Sequence, residues 1–165
     1  IPSDWGLEIG ILSEVKRNFA TNKLCQVDIA DAYDHKHQAL SPEDASRGLS
    51  KMSIDICKAI FRKLATNGIV FSPETFRTVK ATYFRMALDF VETYRNDAEM
   101  NGLRLDVHKE EQAVEMFARN IMDAGSHFLA NPMEAPFIHS WNRVTSAVPD
   151  IFERFKAAVE ADMQR

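Results

Sequence analysis

The sequence SPETFRTVKATYFRMALDFVETYRNDAEMNG, residues 72–102, predicts one long amphipathic helix and decides the expected fold class, which is mainly α. Ser72 is a favourable N-cap with Pro73 at the first helical position, and Asn101-Gly102 is a typical helix end. Apolar residues recur every three or four positions and predict a continuous packing seam. Such a seam is usually part of a core, but it could also contact a second copy. The seam consists of Phe76, Val79, Tyr83, Met86, Phe90 and Tyr94.

A second helix with the same start signal is predicted before this one. Ser41 is placed as the N-cap, Pro42 occupies the first helical position, and acidic residues follow in the first turn. The helix should continue to about Thr66 and end at Asn67-Gly68. Its two apolar stripes predict packing against more than one neighbour. The stripes are Leu49, Met52, Ile56, Ile60 and Leu64 on one side and Ile54, Cys57 and Phe61 on another.

Two more helices are predicted after residue 102. Asp106 can cap a helix over roughly 107–129, and Pro149-Asp150 begins a last one. Between them, 131–146 contains prolines and aromatic residues and predicts an ordered loop that could include one turn. The residues expected to face inward are Val114, Phe117, Ile121, Gly125 and Phe128 in the earlier helix, and Phe152, Phe155, Val159 and Met163 in the last.

The composition indicates one packed domain and excludes several classes of function. A chain of 165 residues with 45% hydrophobic content can bury a core of its own. A net charge of −4 with interspersed signs gives no electrostatic basis for nucleic-acid binding, and no apolar run is long enough to span a membrane. Cys25 and Cys57, both in apolar contexts, predict buried reduced thiols and a cytoplasmic protein. The start at Ile1, without an initiating Met or a signal-peptide pattern, indicates a piece of a longer chain.

Residues 5–19 predict a short helix with an acid on its apolar side. At 100° per residue, Glu8 lies near the middle of the apolar arc, with Asp4 close beside it. A buried carboxylate needs a partner to offset its lost hydration, so one interpretation is a Glu paired with Arg, Lys or backbone N–H groups. The other is a Glu that faces a polar cleft and binds a ligand hydroxyl; Gly6 and Gly10 would allow a ligand or another backbone to approach closely. The arc consists of Leu7, Ile11, Leu12, Val15 and Phe19.

A short strand that leads to histidines is predicted next. Leu24–Ile29 alternates apolar and polar residues, as a half-buried strand does. In an extended continuation His35 and His37 would lie on the same side, near several Asp residues. They are either part of a solvated polar turn, or one of them completes a site for a hard divalent ion whose other ligands are oxygens. A zinc cage is not expected, because no cysteine stands at ligand spacing.

The two opening motifs together resemble a known enzyme family. Asp4-Trp5-Gly6-Leu7-Glu8-Ile9-Gly10 is similar to a motif of the retaining glycosyltransferases that make glucosyl-3-phosphoglycerate, and of the related mannosyl-3-phosphoglycerate synthases. Gln26-Val27-Asp28 followed by Asp34-His35-Lys36 resembles the strand that carries their metal-binding histidine. The resemblance implies that 1–40 is the tail end of a GT-A (α/β) catalytic domain, contributing a helix and a strand, and that 41–165 is a C-terminal helical domain.

The resemblance also implies an activity for the full-length enzyme. Such an enzyme transfers glucose, with retention, from a nucleotide sugar (UDP-glucose is expected) to the 2-hydroxyl of D-3-phosphoglycerate, and it uses Mg²⁺ or Mn²⁺. Glu8 and Trp5 would contact the donor sugar, and His35 would bind the metal ion. The alternatives are mannosyl transfer from GDP-mannose and a non-enzymatic helical dimerisation module.

Two further expectations follow from the resemblance. The family's nucleotide-binding half and Asp-x-Asp motif would precede Ile1, so we expect this chain alone to be inactive. The family tends to dimerise through its C-terminal helices, so we expect a homodimer, with the seam in 73–101 as the first candidate surface.

Overall fold

The computed structural model describes residues 2–19, 21–27, 38–133 and 141–164. In these ranges the chain forms α-helices and one 3-10 turn, Thr21–Lys23, and no strand, so the mainly α prediction is confirmed. No helix among these residues has both the length and the apolarity needed to cross a bilayer. The helices are α1 (Leu7–Asn18), α2 (Gly48–Thr66), α3 (Pro73–Met100), α4 (Val107–Ala130), α5 (Trp141–Ala147) and α6 (Ile151–Met163).

Helix α4 is the centre of the packed part of the molecule. It packs against α3 and α2, and α2 also packs against α1. Helix α2 therefore has more than one neighbour, as predicted. The first predicted stripe is not the contact face, however: Ile60 and Leu64 are 36% and 39% exposed, and α1 packs on Asp55 and Ala59. Residues 1–40 and 41–165 are therefore in direct contact through α1 and α2.

The ends of α3 and α4 follow the local capping signals. The Ser72 hydroxyl accepts a hydrogen bond from the Thr75 backbone N–H at 3.3 Å, and the Thr75 hydroxyl accepts one from Ser72 N–H. Asp106 Oδ1 accepts from Lys109 N–H at 3.2 Å, which caps α4 as predicted. Because each cap depends on residues within one turn, both starts could be placed from the sequence.

Helix α2 begins later than predicted. Ser41 lies outside it with a φ of +49°, and the first helical residue is Gly48, whose φ is +52°. The backbone N–H of Leu49 donates to the Ala39 carbonyl at 2.9 Å, so the preceding loop, rather than Ser41, supplies the partner at the helix start. A Cβ on Gly48 would lie 2.3 Å from that carbonyl oxygen, so this close approach requires glycine.

A cluster of phenylalanine rings forms the core between α2, α3 and α4. Phe76 is 1% exposed, and its ring lies 4.8 Å from that of Phe61 and 5.2 Å from that of Phe71. Gly125 of α4 faces it: a Cβ at this position would lie 2.5 Å from Phe76 Cγ. The predicted inward residues of α4 are buried, except that Phe117 is half-buried.

A polar contact joins α2 to α4 beside this core. Asn120 is 3% exposed; its side-chain amide donates to the Ser53 hydroxyl at 2.7 Å and to the Ser50 carbonyl at 3.3 Å. The Ser50 hydroxyl donates in turn to Asn120 Oδ1 at 3.1 Å. These contacts satisfy the buried amide, and they fix the register of α2 on α4.

The seam on α3 is buried at only one end. Phe76 belongs to the core and Tyr83 is half-buried, whereas Phe90 and Tyr94, whose rings stack at 6.2 Å, are 53% and 60% exposed. Val91 in the same stretch of α3 is buried, so the C-terminal part of the helix is covered on another side while its seam faces solvent.

The C-terminal part of the chain departs from the sequence prediction in two ways. Residues 141–147 form α5 instead of a loop; residues 134–140 lie outside the described residues. The apolar side of α6, predicted to face inward, is exposed, although Trp141 of α5 contacts Phe152 and Phe155 there. Its exposed residues are Phe152, Phe155, Val159 and Met163.

Candidate functional site

The start of α1 presents the predicted sugar-contact residues to solvent. Trp5 is 39% exposed and Glu8 is exposed. Asp4 Oδ1 accepts a hydrogen bond from Gly6 N–H at 2.9 Å, and the Asp4 carbonyl accepts one from Leu7 N–H at 3.0 Å. These bonds hold the Asp4–Gly6 turn, so the indole and the carboxylate are displayed from a fixed helix end.

Gly6 explains how α1 is held in place. It is buried, and a Cβ on it would lie 2.6 Å from Ala59 Cβ and 3.3 Å from the Asp55 carbonyl oxygen, both on α2. The glycine of the motif therefore allows close helix packing. The groups of α2 that approach this position closely are the Ala59 side chain and the Asp55 carbonyl.

The apolar arc of α1 faces solvent, contrary to the expectation that it packs inward. Ile11, Leu12 and Phe19 are 43%, 63% and 54% exposed, and no residue of α1 is buried. The opposite side packs on α2 because Gly6 and Ser13 are small there. Glu8 is consequently hydrated at the centre of an uncovered arc, and the interpretation of a buried, internally paired Glu8 is wrong for the described residues.

Glu14 links α1 to α2 on the side of α1 that carries Gly6 and Ser13. Its Oε1 accepts a hydrogen bond from Lys63 Nζ at 2.8 Å, and its Oε2 forms an ion pair with Arg17. Lys63 and Arg17 lower the pKa of Glu14 from 4.5 to about 2. The partner Lys63 is 49 positions away in the sequence, so no local pattern predicts this contact.

A groove between α1 and α2 lies on the other side of α1 from Glu8. Its volume is about 140 Å³, and Gly10, Ser13, Lys63 and Arg62 are among the residues that line it. Pockets for small organic ligands usually measure about 300–1,000 Å³. This groove is thus too small for a nucleotide sugar, and the candidate site remains the exposed start of α1.

The predicted metal-binding residue cannot be placed, because His35 and the acids around it lie outside the described residues. The described part of the predicted strand, Leu24–Val27, is exposed and has no strand partner among the residues that the structure describes. In those same ranges no group of three His, Cys, Asp or Glu side chains could hold a metal ion. The described residues therefore supply no ligand set for His35 to complete.

The two cysteines differ from each other. Cys25 is exposed, so the prediction that it is buried is wrong. Cys57 is a free thiol packed against the phenylalanine core, and burial raises its pKa to about 11. Cys25 lies on the uncovered segment after α1, where nothing among the described residues packs over it.

The described residues define a mainly α chain whose first helix displays an indole and a carboxylate beside an uncovered apolar arc. Compared with curated proteins, the chain is 42% identical over 162 residues to a glucosyl-3-phosphoglycerate synthase of Persephonella marina, which covers 98% of this chain and 40% of that protein. It is 40% identical over 165 residues to a protein of the same name from Methanococcoides burtonii, covering 99% of this chain and 40% of the relative. The chain thus spans about 40% of the length of these relatives. No protein-family model and no solved structure matches it.

Proposed function

We propose that this chain is part of a glucosyl-3-phosphoglycerate synthase, a retaining enzyme that transfers glucose from UDP-glucose to D-3-phosphoglycerate. Two relatives of that name are 40–42% identical to it over nearly its whole length, which supports the assignment. Because the chain spans about 40% of each relative, the rest of the catalytic machinery would lie in the remainder of the enzyme.

The observation that carries the proposed site is the exposure of Glu8 at the centre of an uncovered apolar arc. In the full-length enzyme, the remainder of the catalytic domain would cover Ile11 and Leu12 and form the other wall of the donor pocket. Glu8 would then be a carboxylate in a pocket with apolar walls, where hydrogen bonds to sugar hydroxyls are stronger than in water. Its charge would also stabilise a sugar ring that becomes cationic in the transition state.

Trp5 would form an aromatic surface beside Glu8 at the same end of α1. Its indole is partly exposed, so a large apolar area is available for one face of a sugar ring. Gly6, which separates Trp5 from the helix proper, packs on Ala59 and so holds both side chains in a fixed relation to α2.

His35 is proposed as a ligand of the Mg²⁺ or Mn²⁺ ion. The ion would neutralise charge that develops on the leaving nucleoside diphosphate. What the described part of the chain contributes is the placement of the donor sugar, through Glu8 and Trp5.

The test of the sugar site uses the full-length enzyme with Glu8→Gln and, as a matched control, Glu111→Gln, an exposed acid on α4. Glu8→Gln keeps the shape and removes the charge, so we expect kcat/KM for the donor to fall by about 100-fold or more. Glu111→Gln should leave it unchanged. Equal activity of the two variants, with far-UV circular dichroism confirming that both are folded, would exclude Glu8 from the site.

The proposed metal ligand, His35, and the expected inactivity of the 165-residue chain alone are tested separately. His35→Ala in the full-length enzyme should raise the Mn²⁺ concentration needed for half-maximal UDP binding, measured by calorimetry. The 165-residue chain alone should transfer no glucose; measurable transfer by it would contradict the proposed division of the enzyme.

A homodimer is part of the proposal, and the exposed end of the α3 seam is a candidate surface. Met86, Phe90 and Tyr94 are 48%, 53% and 60% exposed, which favours a contact with a second copy. The same observation favours the alternative of a helical dimerisation module without enzymatic activity. Loss of glucose transfer in Glu8→Gln with dimerisation retained would distinguish the enzyme from that module.

A further inference from the structure

Arg62 of α2 connects parts of the chain that are far apart in the sequence. Its Nε donates a hydrogen bond to the Pro132 carbonyl at 3.1 Å, and Pro132 lies just past the end of α4. The same side chain lines the groove between α1 and α2. One half-buried arginine therefore lies at α1, α2 and the exit of α4 together.

Arg62 also interacts with the start of α1, through Asp4. Asp4 Oδ1 accepts the hydrogen bond from Gly6 N–H, and Gly6 faces Ala59 of α2. Arg62 is three residues after Ala59, so it lies on the same side of α2, about one turn further along. Burial lowers the pKa of the Arg62 guanidinium, and the negative charge of Asp4 opposes that shift.

An arginine suits this junction because its guanidinium stays charged when half-buried and presents its N–H donors in a rigid planar fork. One of these donors holds the carbonyl that follows α4. The carboxylate that acts on the same guanidinium is the one that holds the Asp4–Gly6 turn. A displacement of Arg62 would therefore be transmitted to the turn from which Trp5 and Glu8 project.

We propose that Arg62 is a positioning residue for the donor-sugar site: it fixes the start of α1, and with it Trp5 and Glu8, relative to the end of α4. This inference rests on the proposed sugar site and deepens it, because the contact residues are on α1 whereas the group that sets their position is on α2. A displacement of about 1 Å at a catalytic group costs about 100-fold in rate, so the placement of α1 affects turnover directly.

The first test is Arg62→Met in the full-length enzyme, which keeps an unbranched side chain and removes the guanidinium. We expect kcat to fall about tenfold, while the KM for D-3-phosphoglycerate stays within about twofold, because the contacts that Arg62 positions are those to the donor. Arg77→Met is the matched control. It removes an exposed arginine whose ion-pair partner, Glu74, is on the same helix, and it should change neither constant.

A double-mutant cycle with Glu8→Gln separates positioning from a general loss of folded enzyme. If Arg62 acts through the sugar-contact residues, Arg62→Met should lower kcat/KM about tenfold in the wild-type enzyme but less than about threefold when Glu8→Gln is already present. A smaller folded fraction would lower kcat/KM by the same factor in both backgrounds.

A second variant tests the same contact from the α1 side, in case Arg62→Met does not fold. Asp4→Asn keeps an oxygen that can accept from Gly6 N–H and removes the charge that acts on Arg62. It should lower kcat in the same direction as Arg62→Met, and its effect should likewise shrink when Glu8→Gln is present.

The outcomes distinguish this inference from the proposed function. If Arg62→Met and Asp4→Asn are as active as wild type while Glu8→Gln is impaired, the sugar site stands and the positioning role is wrong. If their losses are the same with and without Glu8→Gln, the contact supports only the fold, and the positioning role is again wrong. If Glu8→Gln is itself fully active, the proposed sugar site has failed, and the inference that rests on it fails too.

Discussion

The α2–α3–α4 core and the two outer helices, α1 and α6, have similar sequence patterns and opposite burial. In the core, apolar residues at helical spacing are covered on several sides, and Phe76 is 1% exposed. In α1 and α6 the same spacing produces arcs that face solvent, with Leu12 at 63% and Met163 at 82% exposure. Helical periodicity identifies an amphipathic side, but it does not tell whether the partner that covers it belongs to the same chain.

The covered helix surfaces differ from the exposed arcs in having a small residue where a side chain of the neighbouring helix approaches closely. Gly125 receives the ring of Phe76, and Gly6 lies against Ala59. The exposed arcs contain no glycine at their centres; one contains Glu8 instead. The difference implies that the two kinds of surface contribute differently to stability, and that the arcs of α1 and α6 can take partners beyond the described residues.

The largest effect is expected from Phe76→Ala. Removing a ring that contacts three other phenylalanine rings leaves a cavity, and we expect the free energy of unfolding to fall by about 3–5 kcal/mol. Phe90→Ala, on the same helix but 53% exposed, is the matched control and should cost less than about 1 kcal/mol. Urea unfolding of dilute protein measures both.

If the two alanine variants lose equal stability, the distinction between covered and uncovered parts of the α3 seam is wrong. A larger loss for Phe90→Ala that appears only at high protein concentration would instead indicate that this position is buried by a second copy.

Gly125→Ala is expected to come next. The added methyl group would lie 2.5 Å from Phe76 Cγ, and because that ring is enclosed it cannot move away freely. We expect a net loss of about 1–3 kcal/mol, even though alanine favours the helix by about 1 kcal/mol. Combining it with Phe76→Leu should recover part of the loss in a double-mutant cycle, and strictly additive effects would contradict this contact.

Gly6→Ala should have a smaller effect, on the order of 1 kcal/mol, because it loosens α1 and leaves the core intact. A Cβ at this position meets Ala59 Cβ at 2.6 Å, so the effect should be reduced when Ala59→Gly is also present. Amide hydrogen exchange would show the change as faster exchange in α1 with unchanged protection in α4. Uniformly faster exchange in both helices would mean that α1 is part of the same cooperative unit as the core.

The sequence predicted those features that depend on neighbours within one turn. The starts of α3 and α4 followed from Ser72 and Asp106, and the core side of α4 followed from its periodicity. The start of α2 did not, because its partner is the distant Ala39 carbonyl. The prediction of which side of α1 packs was wrong for the same reason, because the residue that Gly6 packs on, Ala59, is far away in the sequence.

For the candidate site, the sequence identified Trp5 and Glu8 and left open whether Glu8 was buried or faced a ligand. The structure excludes the buried alternative among the described residues, since Glu8 is exposed. The proposed role of His35 stays a prediction, because that residue lies outside them. The wrong expectation for α6 has a simple physical cause: an apolar arc carries no information about whether its cover is in the same chain.

The smallest expected effect is the pH dependence contributed by Glu14, which joins the outer helix α1 to α2. Its pKa is about 2 in the folded chain and 4.5 as the ordinary value, so the folded state binds the proton less readily than the unfolded state. The stabilisation is therefore fully present above about pH 4.5 and is lost as the pH falls toward 2. Glu14→Gln should flatten the decline of the urea midpoint between pH 5 and 3, and Lys63→Met should flatten it less, because Arg17 still pairs with Glu14. The double variant should behave like Glu14→Gln alone. A decline that is unchanged in Glu14→Gln would show that the contact between the outer helix and α2 depends on the close packing at Gly6, and that the charge adds nothing to it.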